Sequence, residues 1–156
     1  MTTIGYRIAQ PSDAQAMARI RAADWGTVEF WSARISGYMS GEHNPQKALA
    51  PRICFAAVVD DLAAGFIAGH LTRRHDCDGE LQWISVAESH RRTGIAAELL
   101  RLLAVWFSEQ NAQKVCVDVE PENTAARSFY ARHGAEPLND HWFVWKNIRD
   151  VLRLSD

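Results

Sequence analysis

The stretch "SHRRTGIAAELL", Ser89 to Leu100, decides the fold of this chain because a strand pattern and a helix pattern meet there. Before it lies the apolar run "ELQWISV", Glu80 to Val86, whose length and composition predict a strand. From Thr93 to Gln110 the apolar residues recur at helical spacing, at Ile95, Leu99, Leu102 and Trp106, and this stripe is broadened by Ala96, Leu103 and Phe107. The sequence therefore predicts a strand, a polar turn and a long amphipathic helix in direct succession.

The turn that leads into this helix has the chemistry of an anion site. Backbone N–H groups in a first helical turn have no intrahelical partner, and together with the helix dipole they favour phosphate. Gly94 lets the backbone approach a ligand closely because it has no Cβ, and Arg91 and Arg92 add positive charge. A helix start flanked by surface arginines would explain the same residues, so both interpretations stay open from this stretch alone. The motifs G-x-x-x-x-G-K-[ST] and G-x-G-x-x-G do not occur, which excludes those two kinds of nucleotide site.

The composition of the whole chain, residues 1–156, is that of a single globular domain. Hydrophobic residues make up 47% and charged residues 23%, which argues against disorder. The net charge of -2 predicts no general affinity for nucleic acid or for an anionic membrane. No apolar run approaches the length of a membrane span, and the opening "MTTIGYRIAQ" lacks a signal-peptide core, so we expect a cytoplasmic protein.

The three cysteines, Cys54, Cys77 and Cys116, are odd in number and widely spaced, which indicates neither a disulfide framework nor a zinc site. His75 and Cys77 have no second pair at ligand spacing, so we expect no bound metal. Cys54 and Cys116 lie in apolar, strand-like runs, where a free thiol behaves as a small hydrophobe. No cysteine has the setting of a nucleophile, which disfavours covalent catalysis through a thiol.

The remaining elements predict an α/β (α+β) domain with a mixed sheet and helices packed against it. The predicted strands lie at 5–10, 53–59, 64–74, 80–86, 114–119 and 141–147. The predicted helices lie within 11–25, 27–39, 93–110 and 121–134. The segment 40–51 reads as a loop with at most one helical turn. The element order is β-α-α-β-β-β-α-β-α-β, and the strand–helix–strand unit around 93–110 implies a parallel pair.

Two motifs together resemble the GNAT (N-acetyltransferase) superfamily. "RRTGIA", Arg91 to Ala96, matches [QR]-x-x-G-x-[GA], the pyrophosphate-binding signature of that family. "KVCVDVEPENTAARSFYARHGA", Lys114 to Ala135, is similar to the family's fifth strand and the helix after it, with the pattern N-x-x-A-x-x-F-Y-x-x-x-G. The resemblance is specific from about Glu80 to Ala135 and topological elsewhere. It implies a mixed, mostly antiparallel sheet of six to seven strands with helices on both faces.

The resemblance implies an acetyl-CoA site, with acetyl-CoA as the acyl donor. The end of the fourth strand would pair through its backbone with the pantetheine arm, at Ile84, Ser85 and Val86. The Val86 N–H would donate to the thioester carbonyl. The turn that follows would hold the pyrophosphate, at Arg91, Arg92, Thr93, Gly94, Ile95, Ala96 and Ala97. Asn123, a contact of the pantetheine or its phosphates, and Arg127 complete the cofactor-binding set, and Tyr130 matches the family's general acid, which protonates the departing thiolate.

Each catalytic candidate has a plainer alternative. Tyr130 lies on a helix face with other large side chains, where it could be a core residue, and Asn123 after Pro121 could be a helix N-cap. An amine acceptor is mostly protonated at neutral pH, so a base must remove its proton. Glu80, which we expect at the mouth of the site, is the first candidate, acting directly or through ordered water; a solvated surface charge is the alternative. His70 is the reserve base, because histidine side chains exchange protons near neutral pH.

The resemblance implies an enzyme that moves an acetyl group from acetyl-CoA to a primary amine of a small molecule or peptide, by direct transfer in a ternary complex. The acceptor pocket is expected from the first two helices and late strands, with the candidates Trp25, Phe30, Trp31, Tyr38, Glu42, His43, Trp83 and Trp142. Aromatic walls with one or two carboxylates would suit an ammonium group. The alternatives are a non-catalytic acyl-CoA-binding sensor or partner subunit, and an unrelated α/β domain that binds another phosphorylated ligand. The sequence does not decide whether the protein forms a homodimer.

Overall fold

A computed structural model of the chain describes residues 3–154, with side chains up to Arg153. The strands are β1 (Gly5–Ile8), β2 (Ala48–Val59), β3 (Leu62–Thr72), β4 (Gly79–Val86), β5 (Val115–Asp118), β6 (Glu136–Asn139) and β7 (Trp142–Trp145). The helices are α1 (Ala14–Ala22), α2 (Val28–Ser40), α3 (Ile95–Glu109), α4 (Thr124–Arg132) and α5 (Asp150–Leu154). The predicted order of elements is confirmed, with β6 and α5 as additions near the C-terminal end.

One predicted loop is partly wrong. Residues 48–51 belong to β2, because Ala48 and Leu49 pair with the end of β3. Pro51 has no N–H to donate to a ladder, and the register between β2 and β3 shifts between Leu49 and Arg52, which accommodates the proline.

The seven strands form one sheet in the order β1-β2-β3-β4-β5-β7-β6, which confirms the predicted mixed, mostly antiparallel architecture. Every neighbouring pair is antiparallel except β4 and β5, which are parallel. The parallel pair follows from α3, the crossover helix that returns the chain to the same end of the sheet.

Helices cover both faces of the sheet, as predicted. In β3, alternate side chains point to opposite faces: Ile67 joins the core under α3, whereas Phe66 and Ala68 join the core under α1 and α2. On α3 the predicted apolar face is confirmed at Ile95, Leu99, Leu103 and Phe107 but is centred differently. Leu102 and Trp106 are only partly buried, and the buried positions are Ile95, Leu99, Leu100, Leu103, Ala104 and Phe107.

The parallel strands β4 and β5 separate after three residues. Gly79, Glu80 and Leu81 pair with Val115, Cys116 and Val117, and no pairing is recorded further along β4. A register shift between β3 and β4 leaves Gln82 as an extra residue, a β-bulge at the point where the gap begins. The edge of β4 from Gln82 to Val86 therefore borders a gap in the middle of the sheet, which we call the β4–β5 gap.

None of the helices within residues 3–154 has both the length and the apolar composition that a membrane-spanning helix requires.

Candidate active site

The β4–β5 gap exposes backbone donors at its β4 edge. The Ala87 N–H donates to the Ala64 carbonyl at 2.8 Å, so this pair is hydrogen-bonded across β3 and β4. Because bonded and non-bonded pairs alternate along an antiparallel ladder, the next pair, Gly65 with Val86, is of the non-bonded kind. The N–H groups of Val86 and Ile84 consequently point away from β3 and into the gap, in the arrangement expected for a backbone that pairs with an extended ligand.

The turn before α3 opens the N-terminal end of that helix toward solvent. Gly94 is the N-cap, with a left-handed φ of 85°, and nothing lies within 4 Å of where its Cβ would be. Ile95 directs its side chain into the core, so only its backbone can face a ligand. The space around Gly94 and the unpaired donors of the first turn fit a phosphate-bearing group.

The two arginines of this turn differ in their surroundings. Arg91 folds back, and its Nε donates to the Val86 carbonyl at 3.1 Å, which ties the turn to the end of β4. Its guanidinium also lies 3.8 Å from the exposed carboxylate of Asp24. Arg92, with a φ of 64°, is exposed. Thr93 is exposed as well, and its hydroxyl donates to the His90 carbonyl, which closes the turn.

At the start of α4 both predicted cofactor contacts have structural roles. The Asn123 Oδ1 accepts a hydrogen bond from the Ala126 N–H at 3.1 Å, so this residue is the N-cap that the alternative interpretation required. Arg127 donates to the Asp140 carbonyl at 3.3 Å, and its guanidinium lies 4.8 Å above the ring of Phe143. A cap uses one side-chain oxygen, so the Asn123 amide group keeps its own donors for other partners.

Tyr130 is buried on the α3 side of the sheet, against Trp145 and Phe143. Within residues 3–154 its hydroxyl has no hydrogen-bond partner. Burial raises the pKa of Tyr130, the positive charge of Arg21 lowers it, and the negative charge of Asp118 raises it further. Arg21 belongs to α1 on the opposite face, and Asp118 ends β5. Both charges act on the Tyr130 hydroxyl through space, one from the opposite face and one from the end of β5.

Both base candidates lie together in a buried polar chain on the α2 side of the sheet. Glu80 accepts a hydrogen bond from the Arg74 Nε at 3.2 Å, and its carboxylate lies 3.6 Å from the His70 Nε2. The other ring nitrogen of His70 lies 2.9 Å from the Tyr38 hydroxyl. Glu80 is only 5% exposed, so the alternative of a solvated surface charge is wrong: its paired strand position and Arg74 shield it from water.

The length of β4 constrains how these groups can cooperate. Glu80 precedes Val86 by six residues, which corresponds to roughly 20 Å of extended strand. A carboxylate cannot act at a carbonyl held at Val86 over that distance. Ile84, closer to the bulge at Gln82, directs its N–H into the same gap and shortens the separation by two residues.

Most of the aromatic acceptor candidates form one cluster on the α1–α2 side. The Trp31 ring lies 5.9 Å from Trp83, 4.9 Å from Trp25 and 5.1 Å from Phe30, and Tyr38 lies 5.1 Å from Trp83. Trp25 and Phe30 keep large exposed surfaces. The other candidates lie elsewhere: Trp142 packs on His75, His43 contacts Arg34, and Glu42 lines a separate cavity of about 660 Å³ beside α2.

Two charged residues of this region were missing from the sequence-based set. The Arg21 Nη1 donates to the Ser85 Oγ at 3.2 Å, and its guanidinium lies 4.4 Å above the Trp31 ring. Asp118 lies at the gap end of β5, and burial is the largest cause of its raised pKa. Arg21 follows Ile20 at the edge of the apolar face of α1, and that position is the only signal the sequence carries for it. In the described range, residues 3–154, no three His, Cys, Asp or Glu side chains cluster as a metal site would require.

Comparisons with known proteins agree with this geometry. Residues 15–135 match the family model described as Acetyltransferase (GNAT) family. The uncharacterized N-acetyltransferase YobR of Bacillus subtilis is 35% identical over 65 residues, 42% of this chain and 26% of that protein. The aminoglycoside N(6')-acetyltransferase type 1 of Salmonella typhimurium is 30% identical over 90 residues, 53% of this chain and 61% of that protein. The matches thus span about a quarter and three fifths of these relatives.

Solved structures share the fold at low sequence identity. An acetyltransferase from Thermus thermophilus superposes with a TM-score of 0.70 at 18% identity, over 91% of this chain and 96% of that one. The PaiA N-acetyltransferase of Thermoplasma acidophilum, solved in complex with coenzyme A, superposes with a TM-score of 0.69 at 14% identity, over 93% and 99%.

Proposed function

Because the chain belongs to the acetyltransferase (GNAT) family, we propose that it transfers an acetyl group from acetyl-CoA to a primary amine, directly within a ternary complex. One observation carries the proposal: the unpaired N–H groups of Ile84 and Val86 face the β4–β5 gap, and the strand that bears them leads into the open turn at Gly94. An extended amide-containing arm that ends in a pyrophosphate fits both features at once. We further propose a cytoplasmic location.

The donor would be held mainly by backbone groups. The turn from Arg91 to Ala97 would bind the pyrophosphate, with Arg92 adding positive charge, and Asn123 and Arg127 would lie at its α4 side. The pantetheine arm would continue along the β4 edge past Val86. We assign the thioester carbonyl to the Ile84 N–H instead of the Val86 N–H, because this position lies nearer to both base candidates and to the start of the gap. An N–H aimed at the carbonyl oxygen stabilises the negative charge that develops there.

The proposed chemistry removes two protons from the acceptor nitrogen and supplies one to the sulfur: the first nitrogen proton leaves before attack, and the second passes to water as the tetrahedral intermediate collapses. Glu80, or His70 beside it, takes a proton from the ammonium group through ordered water, and the amine nitrogen then bonds to the carbonyl carbon. When the tetrahedral intermediate collapses, the carbon–sulfur bond breaks and the thiolate leaves with the electron pair. Tyr130, whose raised pKa keeps it protonated, donates to that sulfur. A thiol has a pKa near 8.5, so proton transfer from Tyr130 is uphill, and the charge of Arg21 reduces that penalty.

All three cysteines are buried, which supports direct transfer over a covalent acyl-enzyme. The hydrogen bond with Cys116 lowers the pKa of the Cys77 thiol, but this side chain is only 1% exposed and packs with Cys116 and Val144. Cys54 is buried, and burial raises the pKa of its thiol to about 12. The pKa of the Cys116 thiol is also raised, by a hydrogen bond with Cys77 and by burial. Neither thiol would be ionised at neutral pH, and only the thiolate is a good nucleophile.

The second candidate function is a non-catalytic acyl-CoA-binding sensor or partner subunit. The ion pair between Glu80 and Arg74 favours it, because the guanidinium occupies a carboxylate oxygen that a base would need, and the side chain is closed off from solvent. The proposed enzyme therefore needs the acceptor, or water bound with it, to reach Glu80 or His70.

Calorimetry with acetyl-CoA, followed by thiol release across a panel of amines, tests the proposal. The panel includes free amino acids, peptides and an aminoglycoside, since one relative is named for the last class. Tyr130→Phe should slow turnover while sparing acetyl-CoA binding, and Tyr6→Phe, at a half-buried tyrosine of β1, is the matched control. Binding without turnover on any amine would favour the sensor, and no binding would exclude both functions.

A further inference from the structure

We infer that the acceptor carries a carboxylate a few bonds from its amine, as an α- or β-amino acid does, and that Arg21 binds that carboxylate. The inference rests on the proposed acetyl transfer and names the class of acceptor. It starts from the surroundings of Arg21, a positively charged side chain of α1 that reaches the gap end of β4.

Arg21 has no anionic partner in the described part of the chain. Its nearest acid, Asp24, raises the pKa of Arg21 only through space, and Asp24 is exposed and lies against Arg91 instead. Burial lowers the pKa of Arg21, yet arginine stays charged at neutral pH. The Arg21 Nε is buried without a hydrogen-bond partner. Arg21 as a whole is half-buried, and a partly shielded cation without a counter-ion is costly, so a bound anion would be stabilised there.

Two other arginines, Arg7 and Arg74, each have a carboxylate partner. Arg7 binds both carboxylate oxygens of Asp13, at 2.7 and 2.9 Å. Arg74 donates to Glu80 and to the Gln46 carbonyl. Arg21 differs in that only its Nη1 is used, by the neutral hydroxyl of Ser85. Among residues 3–154, its Nε and Nη2 have no partner. The Nε is buried from solvent, so Nη2 is the donor that a bound carboxylate would reach, through a charge-assisted hydrogen bond.

Two contacts fix the plane of that guanidinium. Stacking on Trp31, at 4.4 Å, holds one flat face, and the bond to Ser85 holds one end. A planar donor group that is already oriented loses little freedom when it binds a planar anion. The aromatic cluster around Trp31 would contact the remainder of the acceptor.

The position of Arg21 sets the distance between carboxylate and amine. Its partner Ser85 directly follows Ile84, to which we assign the thioester carbonyl, and adjacent Cα atoms are about 3.8 Å apart. The carboxylate and the thioester carbonyl would therefore be bound from adjacent positions of one strand, through the Ser85 contact of Arg21 and the Ile84 N–H, which favours an acceptor whose carboxylate and amine are joined by a short chain. A polycationic acceptor would be repelled at the same place.

The test compares acceptors that differ only in the carboxylate. Free α-amino acids with small, aromatic, acidic and basic side chains are assayed by thiol release beside their α-carboxamides, with saturating acetyl-CoA. We expect at least one acid to exceed its amide by about tenfold or more in kcat/KM, the effect of one charge-assisted hydrogen-bonded pair. Arg21→Gln should reduce that ratio to near one, chiefly through KM, and Arg21→Lys should restore it in part. Arg19→Gln, at an exposed arginine of the same helix, should keep the ratio.

A second measurement does not depend on turnover. N-acetyl amino acids and their amides are titrated into the coenzyme A-saturated protein by calorimetry, and Arg21→Gln should selectively weaken binding of the acids. If the carboxamides react and bind as well as the corresponding acids, the inference about Arg21 is overturned, but the proposed acetyl transfer is not. Failure of acetyl-CoA itself to bind would overturn the proposed function. Thermal melting of each variant confirms that it is folded.

Discussion

Gly94→Ala tests the proposed pyrophosphate turn with the least disturbance elsewhere. Nothing lies within 4 Å of the added methyl group, so no clash arises in the free protein. The cost is the left-handed φ of 85°, which is about 1–2 kcal/mol for a residue with a Cβ. For a chain of this length that cost lowers Tm by roughly 2–8 °C. The methyl group would occupy the space that the proposed phosphate needs.

The chain offers a matched control in Gly41, the C-cap of α2. Its φ is 86°, and nothing lies within 4 Å of its Cβ position either. Gly41→Ala should therefore lower Tm by about the same amount as Gly94→Ala, because the backbone strain is the same. The two substitutions differ only in whether the methyl group lies at the turn before α3.

Calorimetry with acetyl-CoA distinguishes them. If Gly94→Ala displaces the phosphate from one or two backbone N–H groups, each worth about 1.5–3 kcal/mol to an anion, Kd rises roughly tenfold to a hundredfold or more. Gly41→Ala should leave Kd unchanged within about twofold, since it lies outside the turn. Equal Kd values for the two variants would refute the assignment of the turn, whatever their Tm.

Three further predictions concern protonation. Because the pKa of Tyr130 lies above its ordinary value of 10.0, the rate should show no decline from its ionisation up to about pH 10; an alkaline decline that Tyr130→Phe abolishes would contradict the burial argument. Glu80→Gln should lower kcat most at low pH, where free amine is scarcest, and an unaltered pH profile would exclude Glu80 as the base. Arg7 lowers the pKa of Asp13, so this pair stabilises the fold above about pH 4 and loses its effect as pH falls through the lower folded pKa. Asp13→Asn should therefore cost about 2 kcal/mol in urea unfolding at pH 7 and much less near pH 2; an equal cost at both would contradict the pairing.

The features that could be predicted from the sequence are local ones. The turn at Gly94 and the Asn123 cap each depend on a few consecutive residues, so both can be recognised in the sequence before the rest of the fold is known. The element order could be predicted for the same reason. β6 could not, because its four residues are all exposed and include Pro137, and so lack the alternation that marks a strand.

The buried face of α3 shows where local patterns are insufficient. After Leu99, helical spacing allows either Leu102 and Trp106 or Leu103 and Phe107 to continue the stripe. The sheet decides between them: a Cβ at Gly69 would lie 3.0 Å from Leu103 and 3.1 Å from Phe107, so this glycine provides the space these side chains fill. That information lies in β3, about thirty residues earlier in the sequence, and it becomes decisive only when the strands are paired.

The same distinction separates the donor half of the candidate site from the acceptor half. The donor half consists of backbone groups whose directions follow from strand alternation and a helix start, and backbone geometry leaves a recognisable sequence motif. The acceptor half consists of single side chains from separate elements, such as Arg21 of α1 and Glu80 of β4. Whether such a charged side chain can bind a ligand depends on whether another side chain already neutralises it. Arg74 pairs with Glu80 at 3.2 Å, whereas no carboxylate pairs with Arg21 among the described residues. Pairing of this kind is a property of the folded protein, so the acceptor class that we propose is argued from the structure, whereas the motif concerns only the donor.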